Sequence, residues 1–147
     1  MKSVPVKRSQ GGIILIEALI AILIFSMGIL AIIGLQAQSV RNSSEAKYRA
    51  DASFLVNQII GRLWADRSNI ATYSHLPTGT VCTPSGSASA NTNVTQWLAG
   101  VDAVLPDAGS ARQSIAVDTA NNTVTVRLCW VSRSGQHNVS ITTQING

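Results

Sequence analysis

Between Ile13 and Leu35 the chain runs for 23 residues with a single charge, Glu17. Coiled as an α-helix, such a run is long enough to cross about 30 Å of hydrocarbon. Its one carboxylate is expensive there, since an acid at mid-bilayer costs about 2.5–3.5 kcal/mol and less toward the edge. A plain anchor has no use for such a group, so Glu17 reads as functional.

The residues ahead of the run point the same way. Lys2, Lys7 and Arg8 precede Gly12, and no acid does. Positive charge before an apolar span keeps that end cytoplasmic and exports the chain that follows. A cleaved secretory signal has an apolar core of about 7–15 residues and ends at a small-x-small site. Here the run is longer, and Leu35-Gln36-Ala37 fits such a site poorly. The serious competitor is an uncleaved anchor, and Glu17 separates the two. A cut after Gly12 would start a new chain at Ile13 and make Glu17 its fifth residue. It would also create an α-amine with a pKa of about 7.7–8. A neighbouring subunit offset along the axis brings its amine to this carboxylate, neutralising both in a low-dielectric setting. Such pairing favours polymer over monomer and fixes axial register.

The stretch Gly12-Ile-Ile-Leu-Ile-Glu17-Ala-Leu-Ile-Ala resembles the class III signal of type IV pilins and of the related type II secretion pseudopilins. The resemblance implies a prepilin peptidase that cuts after Gly12 and methylates Ile13, with Glu17 as the assembly carboxylate. The family prefers Phe after the cut, where this chain has Ile13 followed by Ile14. The resemblance also implies a pilin-like α+β fold, a long N-terminal helix packed on a small antiparallel sheet.

The formal net charge of +4 invites a nucleic-acid reading, but three of the basic residues fall in the leader. Without it eight Lys and Arg face seven Asp and Glu, interleaved and with no dense basic patch. Nucleic acid is therefore not an expected partner.

Four segments follow from the pattern: a leader 1–12, a transmembrane and polymerisation helix 13–35, an amphipathic continuation 36–67, and a loop-rich αβ region with a β-meander 68–147. Tyr48, Ala52, Leu55, Ile59 and Leu63 recur at helical steps, with Val56, Ile60 and Trp64 beside them, and no Pro falls between Pro5 and Pro77. The spacing predicts one helix from Ile14 to Arg67, about 80 Å long. Gly28 and Gly34 serve either close packing against neighbouring helices or local loosening. Pro and Gly punctuate the chain from Asn69 to Ser114, with a short helix expected over Val94–Val104. Ile115–Val117, then Val124, Val126, Leu128 and Trp130, then Val139, Ile141, Thr143 and Ile145 alternate as strands, with turns near Asp118–Asn122 and Ser132–Gln136. Trp130 reads as core.

Cys82 and Cys129 both lie far beyond the apolar run and have no metal-ligand spacing. In an exported domain they read as one long-range disulfide; the alternative is two buried free thiols. His75 and His137 read as surface histidines. No nucleophile elbow, phosphate loop or dinucleotide fingerprint is present, so neither an enzyme nor a cofactor is expected. The N-x-S/T matches at Asn42, Asn93, Asn121 and Asn138 are chance matches in a polar chain.

Gly28-Ile-Leu-Ala-Ile-Ile-Gly-Leu-Gln36, Arg41-Asn42, Trp97 ahead of Leu105-Pro106, Val126-Arg-Leu-Cys-Trp130 and Thr142-Thr-Gln-Ile145 are similar to the PilV-like minor pilins. That branch implies a role in starting pilus assembly, in or near the tip. The implied partners are other minor and major pilins, prepilin peptidase, the inner-membrane assembly platform and, before assembly, lipid. The domain would face the periplasm from a single inner-membrane span, then the cell surface in the fibre. A type II secretion pseudopilin and an uncleaved, membrane-anchored binding module are the other two readings.

Overall fold

A computed structural model describes residues 11–145 of the chain; Lys2, Lys7 and Arg8 of the expected leader lie outside the described residues. Helix α1 (Gly11–Ala65) is continuous over 55 residues, close to the expected span. It ends two residues early. Asp66 leaves helical backbone at φ −122°, and the chain continues in 3₁₀ turns over Arg67–Tyr73 with a kink at Asn69. The chain divides within α1 into two compact units, Met1–Ser43 and Ser44–Gly147.

The second unit is α+β. After the 3₁₀ turns come a small hairpin, β1 (Thr78–Thr80) and β2 (Thr83–Ser85), then helix α2 (Thr92–Val104). Three strands follow: β3 (Ser114–Asp118), β4 (Thr123–Ser132) and β5 (Gly135–Gln144). They form an antiparallel sheet in the order β3-β4-β5, the meander expected from the alternating residues. The β4–β5 turn is tighter than expected, pairing Ser132 directly with Gly135, so β5 starts early and runs ten residues. The β1–β2 hairpin has no apolar alternation to announce it. It is held by turn geometry: Cys82 and Gly79 both have positive φ. A Cβ on Gly79 would sit 2.7 Å from the Thr83 carbonyl oxygen, so only glycine fits.

Helical and strand periods meet in one core. Ala52, Leu55, Val56, Ile59 and Leu63 are buried along one stripe of α1. They share a cluster with Trp97, Leu98 and Val101 of α2 and with Val124, Val126, Leu128 and Trp130, which alternate on β4. Asn91 caps α2 by accepting from the Asn93 amide. Two long-range bonds fasten α2 to α1: Trp97 Nε1 donates to the Leu55 carbonyl at 2.8 Å, and Arg62 donates to the Asn93 carbonyl at 2.9 Å. Two large apolar residues of these helices fall outside the core. Trp64 is 44% exposed and Val104 46%, because each points away from the core-facing stripe of its helix although buried Leu63 and Leu105 are their direct neighbours.

Cys82 and Cys129 are joined in a disulfide across 47 residues of sequence, with Cα atoms 5.5 Å apart. Beside it Gln113, fully buried, treats Cys129 as a strand partner would. Its Oε1 accepts from the Cys129 amide at 2.8 Å, while its Nε2 donates to the Cys129 carbonyl at 2.9 Å and to the Ala108 carbonyl at 2.7 Å. Closing so long a loop restricts the unfolded chain by about 4 kcal/mol in the loop-entropy account. Replacing both cysteines by Ala should therefore lower the unfolding free energy by about 2–4 kcal/mol, read from the urea midpoint. Gln113→Ala should cost about 2–4 kcal/mol, because it leaves backbone groups of Cys129 buried without partners. An unchanged midpoint for either variant would contradict these roles.

Candidate functional site

Every residue from Gly12 to Val40 is exposed, including Ile13, Ile14, Leu15, Ile16, Ile20 and Phe25. The helix is long and apolar enough to cross a membrane, by length and composition. Two residues of the 13–35 run carry polar side chains that differ in how they are satisfied. Ser26 returns its hydroxyl to the Ile22 carbonyl one turn back, at 2.7 Å, and so costs little in an apolar setting. Glu17 has no such recourse, since a carboxylate accepts only and helix carbonyls donate nothing. Among the described residues it has neither a hydrogen-bond nor an ion-pair partner. Gly12 and Ile13 both lie within helix α1. A Cβ at Gly12, Gly28 or Gly34 would meet nothing within 4 Å, so none of the three is required by packing within the chain.

A second polar cluster sits in the other unit, at its first turn of α1. Glu45 Oε1 accepts from the Ser132 hydroxyl at 2.5 Å, and its Oε2 lies 3.4 Å from His137 Nε2. Ser132 and Ser134 place their hydroxyls 3.1 and 2.8 Å from the same nitrogen. The His137 ring stacks on Trp130, its cross-strand neighbour, with centroids 5.5 Å apart. The residue types are those of a hydrolytic triad, but the wiring is not. A triad sets the acid on one imidazole nitrogen and the nucleophile on the other. Here all three partners converge on Nε2, and Ser132 gives its proton to Glu45. The cluster therefore ties the helix to the β4–β5 turn and activates no nucleophile.

Both histidines depart from the surface reading. His75 is buried: its Nδ1 accepts from the Ser89 amide and its Nε2 donates to the Ser110 carbonyl, both at 3.1 Å. Those two bonds define one neutral tautomer that ties the 86–91 loop to the approach to β3. His137 is half-buried in the cluster just described. The Cys82–Cys129 bond lies nearby, with Cys82 Sγ 3.8 Å from the His137 carbonyl oxygen, a contact only, since an oxidised sulfur carries no hydrogen. Sequence reading missed Glu45, Ser132 and Ser134 because nothing local marks them: Glu45 and Ser132 are 87 residues apart. Among the described residues no group of three or more His, Cys, Asp or Glu side chains could hold a metal ion. No protein-family model, curated protein or solved structure matches the chain.

The Ser132 hydroxyl holds the Glu45 carboxyl below its ordinary value of 4.5, against the opposing effect of burial; Ser134, His137 and Arg49 add to the lowering. A depressed carboxylate stabilises the fold fully above its unfolded pKa, and that contribution is lost as pH falls through the lower folded value. The wild-type urea midpoint should thus fall between about pH 5 and about pH 3 more steeply than that of Glu45→Gln. Parallel curves for the two proteins would show that the carboxylate is not held as described.

Proposed function

We propose that the chain is a minor pilin of a type IV pilus, cut by prepilin peptidase between Gly12 and Ile13 and built into the tip complex that starts the fibre. One observation carries this reading above the others: Glu17 is a partnerless carboxylate on an otherwise apolar, fully exposed helix face. In lipid that arrangement is costly, and the cheapest remedy is a cation from a second chain. The α-amine released at Ile13 is such a cation, and it is created at the same end of the helix. An uncleaved anchor creates no amine there and leaves Glu17 unexplained.

Further support comes from the architecture. A long apolar N-terminal helix followed by a small antiparallel sheet is compatible with a pilin-like fold. The disulfide suits an oxidising compartment such as the periplasm. The cleavage site also suits processing. Two consecutive glycines, Gly11 and Gly12, stand directly before the bond, and each costs about 1 kcal/mol relative to Ala in a helix, so the backbone there opens readily to a peptidase. On this reading Ile13 is the methylated residue. The protein waits in the inner membrane with its domain in the periplasm, then moves with other minor and major pilins into the fibre. It needs no cofactor and catalyses nothing.

Mass spectrometry of the protein from cells should find a chain that begins at Ile13, with or without one added methyl group. A chain that retains residues 1–12 would overturn the proposal. Glu17→Ala and Glu17→Val should be cleaved normally yet incorporated at least about tenfold less, the equivalent of about 1.4 kcal/mol of lost pairing. Normal incorporation of both would remove the assembly role. Deleting the gene separates pilus from secretion system: loss of surface pili and twitching supports the proposal, whereas an isolated failure to secrete exoproteins assigns the chain to the pseudopilins.

A further inference from the structure

The three-stranded sheet closes one of its edges and leaves the other open. On the β3 side, His75 and Ile115 exchange both backbone bonds, at 3.0 and 2.8 Å, and Ser114 Oγ donates to the Leu76 carbonyl, so a loop covers that edge. On the β5 side no element pairs with the strand among the described residues.

Which backbone groups β5 leaves unpaired follows from its partner. In an antiparallel ladder, residues alternate between pointing their amide and carbonyl at the neighbour and pointing them away. Cys129 turns its N–H and C=O away from β5, to Gln113, and Val131 sends its N–H to the Pro106 carbonyl. Cys129 pairs with Asn138 and Val131 with Gln136, so Asn138 and Gln136 turn their own groups outward, toward the free edge. The alternation continues through Ser140, Thr142 and Gln144. Five residues thus present a ready-made row of donors and acceptors.

Natural sheets blunt such edges with Lys, Pro, bulges or a covering loop. Strand β5, Gly-Gln-His-Asn-Val-Ser-Ile-Thr-Thr-Gln, has no Pro, Lys, Arg, Asp or Glu, and its register against β4 is unbroken over ten pairs. Its only titratable side chain, His137, is stacked on Trp130 rather than directed along the edge. Solvent-facing Gln136, Asn138, Ser140, Thr142 and Gln144 alternate with half-buried His137, Val139, Ile141 and Thr143.

We infer that β5 is a strand-addition surface and that its partner is β5 of a second copy of this chain, paired antiparallel about a two-fold axis at Ser140. The sequence is self-complementary in that register. Outward-pointing residues meet outward-pointing residues: Ser140 faces its own copy, Asn138 faces Thr142 and Gln136 faces Gln144. On the other face Val139 meets Ile141, two apolar side chains that pack only partly against the core, so pairing extends the apolar floor of the sheet across the axis. No like charges meet anywhere along the strand. A two-fold axis makes every contact off the axis twice. The inference rests on the sheet alone and is independent of the role assigned to Glu17.

The test uses the full-length chain in its membrane. Cys82 and Cys129 are bonded to each other, so one introduced cysteine is the only free thiol. Ser140→Cys places two thiols on the axis, where directly opposed residues have Cα atoms about 5.5 Å apart, within disulfide reach. Thr142→Cys places its two thiols about 13 Å apart, out of reach. After mild oxidation, Ser140→Cys should give at least about fivefold more covalent dimer than Thr142→Cys. Mixing differently tagged Asn138→Cys and Thr142→Cys chains should restore the dimer as a heterodimer. A Ser140→Cys chain that stays monomeric, that links no better than Thr142→Cys, or that links to a different protein would overturn the inference. Because the readout is crosslinking and not fibre incorporation, it separates this contact from a failure of Glu17 to support assembly.

Discussion

The second unit depends on one stripe of α1. Ala52, Leu55, Val56, Ile59 and Leu63 are buried along it and join the core residues of the other elements in one cluster. A three-stranded sheet cannot bury both faces by itself and needs a helix or a second sheet for independent stability. The inner row of β4, Val124 to Trp130 at alternate positions, finds that cover in α1 and α2. Trp97 fixes the placement of α2, because its indole reaches the core and its N–H finds the Leu55 carbonyl there. A buried indole without that acceptor would cost about as much as a lost hydrogen bond. Trp130 shows the other case: its Nε1 is buried with no partner among the described residues, so its contribution is apolar contact and the stacked His137 ring.

Periodic features were legible in the sequence, and features made by distant polar side chains were not. A helical step and a strand step are local properties, which is why α1, α2 and the three strands could be placed from the order of apolar residues alone. Glu45, Ser132, Ser134 and His137 carry no such signature, since α1 and the β4–β5 turn meet only after folding. Gln113 is similar. One polar residue between two loops gives no hint that its amide will replace a missing strand against Cys129. His75 looked like a loop histidine and is one, but both ring nitrogens found backbone partners, which removes the cost of burying it. Trp64 erred the other way. It directly follows buried Leu63 but points off the stripe that meets the core, so an apolar residue beside a buried one is not thereby buried.

The candidate site was more legible than the fold that accompanies it, for a physical reason. In a predominantly apolar run of 23 residues a single acid stands out without any knowledge of contacts, because its cost arises from composition. The structure adds a contrast that composition cannot supply. Ser26, the other polar side chain of the run, is satisfied within its own helix, and Glu17 is not. On the proposed reading, only the second calls for another molecule.

Glu17 and the β5 edge are both unfinished polar surfaces, and the medium each faces sets what each can do. An exposed strand edge in water is already solvated, so pairing exchanges one set of hydrogen bonds for another and gains little per bond, about 0.5–1.5 kcal/mol. Such an edge contributes register and direction more than driving force. A carboxylate among Ile16, Ala18 and Ile20 has no such substitute once the helix is in hydrocarbon, and pairing there recovers a cost of several kcal/mol. On the proposed reading the two therefore differ in kind. Glu17 drives association and acts only where water is absent. Strand β5 selects a partner geometry and acts only where water is present. A chain with both has a defined way to join others in each medium, driven in hydrocarbon and only directed in water.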